Sequence, residues 1–109
     1  MQTTAVPHDP LARALRVLAR RWTLEILDLV IDGPKRFSQI HQTFPGLSER
    51  VMWERLRDLI DAELLQRNVD PGPPITSSYR ATDRSLEVKD RIEELRDALG
   101  LERPTRRAA

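Results

Sequence analysis

The residues of this sequence that could do chemistry are arginines and their neighbours at helical spacing. Between Ser48 and Glu63, Arg50, Glu54, Arg57 and Asp61 recur every three or four positions and share one face of a helix. A guanidinium is a rigid fork of donors that suits phosphate oxygens and the guanine edge. Arg50 lies nearer the helix start and is the candidate for base contact, and Arg57 the candidate for phosphate, with Glu54 between them. Ser48 can cap this helix and donate at its start, and Trp53 borders the face. Outside the helix, Lys35, Arg36 and Ser38 precede or open a shorter helical stretch, and Arg67 and Arg80 flank a hairpin. Cations so placed grip a sugar-phosphate backbone while the helix reads base edges. The chemistry on offer is binding to double-stranded DNA.

Other chemistries lack their residues. The histidines are His8 and His41, and neither has a nucleophile and carboxylate at triad spacing. Four scattered glycines make no phosphate loop. Without cysteine, disulfides, thiolate metal sites and thiol redox sensing are excluded, and no other ligand set has metal-site spacing. No cofactor, metal or enzymatic activity is expected. The arginines also have a local alternative: Arg50 with Glu54 and Arg57 with Asp61 stand at i,i+4. Exposed pairs of that kind contribute about 0.3–0.5 kcal/mol, weak enough for DNA to displace.

The elements that position these residues follow from periodicity. At 109 residues the chain is read as one domain spanning 9–100, with a polar tail over 1–8 and a basic tail over 101–109. Charged residues are 32% and aromatics 5%, so Leu, Ile, Val and Ala must form the core. The net charge of +1 decides nothing, although 16 of the 18 basic residues are arginine. No apolar run is long enough for a membrane span and no signal pattern opens the chain, which predicts a cytoplasmic protein.

Asp9-Pro10 starts a helical pattern that reaches Ile31 as one bent helix or two, with Thr23 as a possible second cap. Gly33-Pro34 ends it. Phe37–Phe44 is a short helix, Pro45-Gly46-Leu47 a turn, and Ser48–Glu63 the next helix, which buries Met52, Leu56, Leu59 and Ile60. Trp22 and Phe37 are expected in the core. Two helices joined by a glycine-bearing turn make a helix-turn-helix. Leu64–Val69 and Ile75–Ala81 read as a two-stranded hairpin with a Pro-rich tip, with Tyr79 packed beneath it. A last helix over about 84–100 begins its apolar face at Leu86 and continues it with Val88, Ile92, Leu95 and Leu99 at near coiled-coil spacing. The fold class is mainly α with a small antiparallel β-hairpin, a winged helix-turn-helix.

Residues 14–69 resemble the HxlR-type winged-helix transcription regulators, relatives of the MarR group. Carrying the likeness are Trp22-Thr23 with Ile26-Leu27, Gly33-Pro34 with Arg36-Phe37, and Ile40. The Pro-Gly-Leu-Ser turn at 45–48, Arg55-Leu56 with Leu59, Leu64-Leu65, Arg67 and Tyr79 complete it. The resemblance implies a homodimer that binds a roughly palindromic operator and regulates transcription. Its dimer would be formed by the terminal helices, here through Leu11, Leu15, Val88, Ile92, Leu95 and Leu99. Where members carry glycines before the helix that opens near Trp22, this chain has Ala19-Arg20-Arg21, and the cysteine many members have is absent. The acids Glu49, Glu54, Asp58, Asp61 and Glu63 keep one alternative open, the same fold docking a protein without DNA. A small-molecule effector is compatible with such a dimer, but no residue in the sequence argues for one.

Overall fold

Asp9, Ser48 and Thr82 each accept a hydrogen bond from an amide two or three residues on, and a helix begins after each. The bonds are Leu11 N to Asp9 Oδ1 at 3.0 Å, Val51 N to Ser48 Oγ at 3.2 Å and Ser85 N to Thr82 Oγ1 at 3.2 Å. The computed structural model describes residues 9–101, and both the expected tail over 1–8 and residues 102–109 of the expected basic tail lie outside the described residues. In chain order the elements are α1 (Pro10–Ala19), α2 (Thr23–Ile31), β1 (Lys35–Arg36), α3 (Phe37–Thr43), α4 (Glu49–Asp61), β2 (Leu65–Asp70), β3 (Thr76–Ala81) and α5 (Asp83–Ala98).

The stretch 10–31 is two helices. The break falls at Arg20–Trp22, and Thr23 does not cap the second. The cap position belongs to Trp22, whose φ of 79° lies in the left-handed region, and no side chain caps α2. Such a backbone costs a bulky residue of the order of 1–3 kcal/mol and persists where packing over-determines it. Here the Arg21 guanidinium lies 4.9 Å from the centre of the Trp22 ring, which packs at 5.7 Å on Phe44. Arg55 of α4 clamps the same bend by donating from Nε to the Arg21 carbonyl at 2.8 Å. Arg20 adds an ion pair to Asp58 at 2.8 Å.

The expected two-stranded hairpin is present as β2 and β3, and a third strand joins it. Lys35 and Arg36, expected only as a lead into α3, form a short strand on β3, so the antiparallel sheet has the order β1-β3-β2. Lys35 faces Tyr79 and Arg36 faces Ser78, while on the other side Arg67 faces Tyr79 and Gln66 faces Arg80. Two strands alone are marginal, and the third strand and the helices beneath supply what the pair lacks.

The core gathers Ile26, Leu27 and Val30 of α2, Ile40 of α3, Leu47, then Met52, Leu56 and Leu59 of α4, and Leu64, Leu65 and Tyr79. Ile60, expected fully inside, is half-buried, as are Trp22 and Phe37, which pack against the core edge. α4 ends at Asp61, two residues before the expected Glu63, where Glu63 adopts φ 62° and the Leu64 amide closes back on the Leu59 carbonyl at 2.8 Å. α5 packs on the core through Val88 and on α2 through an ion pair between Lys89 and Asp28. α1 contributes no buried residue.

Candidate nucleic-acid interface

α4 presents two faces with different duties. Met52, Leu56 and Leu59 fix the inner face in the core. The outer face carries Arg50, Trp53, Glu54 and Arg57, all exposed. Ser48 holds the first turn with its oxygen as acceptor, which leaves its O–H to donate outward. The Arg50 side chain is 88% exposed and touches Glu54 at 3.5 Å, the i,i+4 pair expected from the sequence. Glu54 also reaches Arg55 at 3.7 Å. Trp53 stacks on Phe37 of α3 with ring centroids 4.6 Å apart, so one face of the indole is fixed while the residue stays 47% exposed.

Across from this face, β2 brings Arg67 into the same cleft as Trp53, Glu54 and Arg57. Its Nε and Nη2 donate to Ser77 Oγ at 3.4 and 3.1 Å, which holds the guanidinium along the wing rather than against α4. Tyr79, beneath it, is fully buried. Burial pushes its hydroxyl above its ordinary pKa of about 10, while the Arg67 charge pulls the other way.

The candidate residues therefore do not form one patch. Ser48, Arg50, Trp53, Glu54, Arg57 and Arg67 lie along α4 and the facing side of the wing. Side chains alternate along a strand, so Arg36 and Arg80 fall on the opposite side of the sheet from Tyr79 and Arg67. Lys35 shares the Tyr79 side, half-buried, with its ammonium on the Gly33 carbonyl at 3.1 Å. Ser38 is exposed on α3, where the Arg36 amide is held by Gln39 Oε1 at 2.8 Å.

The acids that made α4 look unsuited to DNA are largely neutralised within the chain. Asp58 pairs with Arg20, Glu54 with Arg50 and Arg55, and Glu63 with Arg84 at 3.2 Å. The residue that sequence reasoning undervalued is Arg55. It lies beside the candidate arginines but turns inward, its side chain 16% exposed. A guanidinium one position from the buried stripe was the available signal.

Of the six residues expected at a dimer interface, Leu11, Leu15, Leu95 and Leu99 are 65%, 53%, 56% and 62% exposed. Val88 and Ile92 are half-buried, and Val88 packs on the core of its own chain, so the expected α5 stripe is not left wholly exposed. Among the described residues no group of acids and histidines could hold a metal ion, and no helix is long and apolar enough to cross a membrane.

A helix pair with a capped, arginine-bearing second helix beside a three-stranded wing defines a winged helix-turn-helix. The sequence matches the HxlR-like helix-turn-helix family over residues 17–103. It is 33% identical over 82 residues to the HTH-type transcriptional regulator YodB of Bacillus subtilis, covering 75% of this chain and 73% of that one. To the regulator YvaP of the same organism it is 36% identical over 72 residues, 66% of this chain and 67% of that one. The structure of reduced YodB superposes with a TM-score of 0.75 at 29% identity, covering 84% of this chain and 90% of that one. A MarR-family regulator from Porphyromonas gingivalis shares the fold, with a TM-score of 0.71 at 22% identity over 88% of this chain and 94% of that one. The chain belongs to the HxlR-like helix-turn-helix family. Its members and these relatives are transcription regulators, not enzymes.

Proposed function

We propose that this chain is a cytoplasmic, sequence-specific DNA-binding regulator that acts as a homodimer on a roughly palindromic operator. The observation that carries the reading is the outer face of α4. It holds one highly exposed arginine near a capped helix start, a second arginine further along, and Arg67 on the wing across the same cleft. A helix so presented lies in the major groove with its N-terminal residues on base edges. Arg50 reads a base there, with Trp53 and Glu54 beside it. Ser48, Arg57 and Arg67 hold phosphate, and Ser38 approaches it from α3. Arg36 and Arg80, on the other side of the sheet, meet a flanking stretch of backbone, and Lys35 is the weakest member of the set because its ammonium is already engaged.

The domain spans 9–100, and its terminal helices α1 and α5 supply the second half of the symmetry. Leu11, Leu15, Leu95 and Leu99 offer an exposed apolar surface at both ends of the chain. Two protomers then place their α4 helices about one turn of DNA apart, roughly 34 Å.

The test is binding of the purified protein to fragments from its own upstream region and from unrelated loci at about 50 and 200 mM salt. A preference that survives the higher salt identifies the operator. On that operator Arg50→Ala is expected to cost about 1–3 kcal/mol and relax the preference. Arg67→Ala weakens all sequences alike and lowers the salt slope by about one. Equal, sequence-blind losses from both variants would remove base reading from Arg50. No binding at either salt would end the DNA reading.

A further inference from the structure

α1 behaves as an arm rather than a wall of the core. None of its residues is buried, although Leu18 in its last turn packs against the core. Leu11 and Leu15 face solvent. Between α1 and the second half of α4 lies an open cleft of about 650 Å³, with Arg13 and Val17 on one wall and Asp61 and Ala62 on the other. Apolar burial therefore does little to fix the direction of the arm. Its base, Arg20–Trp22, is held instead by three consecutive residues. Arg20 Nη1 bridges the cleft to Asp58 of α4 at 2.8 Å. The Arg21 carbonyl accepts from Arg55 Nε of α4 at 2.8 Å, with the Arg55 side chain only 16% exposed. Trp22, at φ 79°, packs on Phe44 and against Gly46, between α3 and α4. All three contacts end on α4 or on the segment that leads into it, so they join the arm directly to the helix that faces the ligand.

We infer that Arg20, Trp22 and Arg55 are positioning residues that determine which half-site spacing the protein accepts. The inference rests on the homodimeric DNA-binding reading above. In that dimer the α1 arms join the protomers, so the angle between each arm and its α4 sets the separation of the two α4 helices. Each base pair added between half-sites moves them apart by about 3.4 Å and turns them by about 35°. A protomer can follow such a change only by swinging α4 against its arm, which breaks the contacts at the bend. The contacts differ in weight. The Arg55 bond is charge-assisted and largely covered, and it carries the larger share. The Arg20–Asp58 pair is partly exposed and carries the smaller one. These residues touch no base, and they act on specificity through geometry alone.

The test takes the operator found by the fragment assay above and inserts or deletes one or two base pairs at its centre. Affinity of the full chain for each duplex is measured by fluorescence anisotropy, and the readout is the ratio between native and altered spacing. Loss of folded protein lowers every affinity by one factor, so the ratio isolates the arm. Wild type should prefer the native spacing by more than about tenfold. Arg55→Gln should cut that preference about tenfold, and Arg20→Gln about two- to fivefold. Arg20→Lys, which can still reach Asp58, should keep it. Arg50→Ala should weaken all spacings alike and leave the ratio where it is. A second measurement needs no DNA. The chain has no cysteine of its own, so nitroxides can be placed at Arg13→Cys and Asp61→Cys, on opposite walls of the cleft, with labelled chain diluted into unlabelled chain. Their dipolar spectrum should give one sharp distance, and a broad one once Arg55→Gln is added. The assignment is overturned by a wild type indifferent to spacing, by a ratio unchanged in both variants, or by a distance as sharp with Arg55→Gln as without it. If wild type binds no DNA, the homodimeric DNA reading falls and the spacing role falls with it. If it binds and only the ratio fails to move, the DNA reading stands and this inference alone is lost.

Discussion

Arg55 and Arg57 stand two residues apart on α4 and meet different surroundings. Arg55 donates to a backbone carbonyl at the α1–α2 bend and is largely covered. Arg57 borders the open cleft beneath the wing, exposed and without an ion pair among the described residues. Arg20 and Arg50 repeat the contrast: one is tied to Asp58 at 2.8 Å, the other touches Glu54 only at 3.5 Å with 88% of its side chain in solvent. Residue type does not decide whether an arginine supports the fold or is left available to a ligand. The angle around the helix axis decides it. About 100° per residue places position 55 against α1–α2 and position 57 over the wing.

That contrast can be pressed from the strongest effect downward. Leu56, between the two arginines, marks the buried limit. Leu56→Ala should lose about 2–5 kcal/mol in chemical denaturation, through lost burial and the cavity left behind. Arg55→Gln should lose about 1.5–3 kcal/mol, because a charge-assisted bond to the bend disappears, and should weaken DNA of every sequence as α4 loses its seat. Arg57→Gln should move stability by less than about 0.5 kcal/mol while lowering the salt dependence of DNA binding. If the two variants exchanged these outcomes, the division between support and recognition would be reversed. Arg20→Gln is the mildest structural test. Its pair with Asp58 is partly exposed, so a loss below about 1 kcal/mol is expected, measured best as a shift in the denaturant midpoint.

Much of this was legible in advance. The buried stripe of α4 is read from Met52, Leu56 and Leu59, and the caps from Asp9 and Ser48, because periodicity and local hydrogen bonding act over a few residues. The illegible parts share a cause. Two left-handed positions are held by Trp22 and Glu63, and neither announces such a turn as glycine would. The sequence therefore left open whether 10–31 was one bent helix or two, and it placed the end of α4 at Glu63, two residues beyond Asp61. β1 is two residues long and shows no alternation, so only its pairing with β3 defines it. The division of Arg36 and Arg80 from Arg67 follows from strand register, which no local pattern in β2 or β3 could supply. The pairing of Asp58 with Arg20 and of Glu63 with Arg84 is likewise tertiary, and it alters how the charge of α4 must be read.

The pairing of β1 with β3 has a mechanical consequence. Arg36 faces Ser78, and everything between them, namely α3, α4 and β2, is a closed loop stitched at its neck by two residue pairs. Closing so long a loop is entropically slow, so this short ladder is expected to zip late in folding, after α3 and α4 have docked. Once closed, it prevents the helix pair from swinging away from the hairpin like a hinged flap. A protein built this way meets its ligand as a single rigid jaw, and in the homodimer proposed above any adjustment of reach must come from how two such jaws are set against each other.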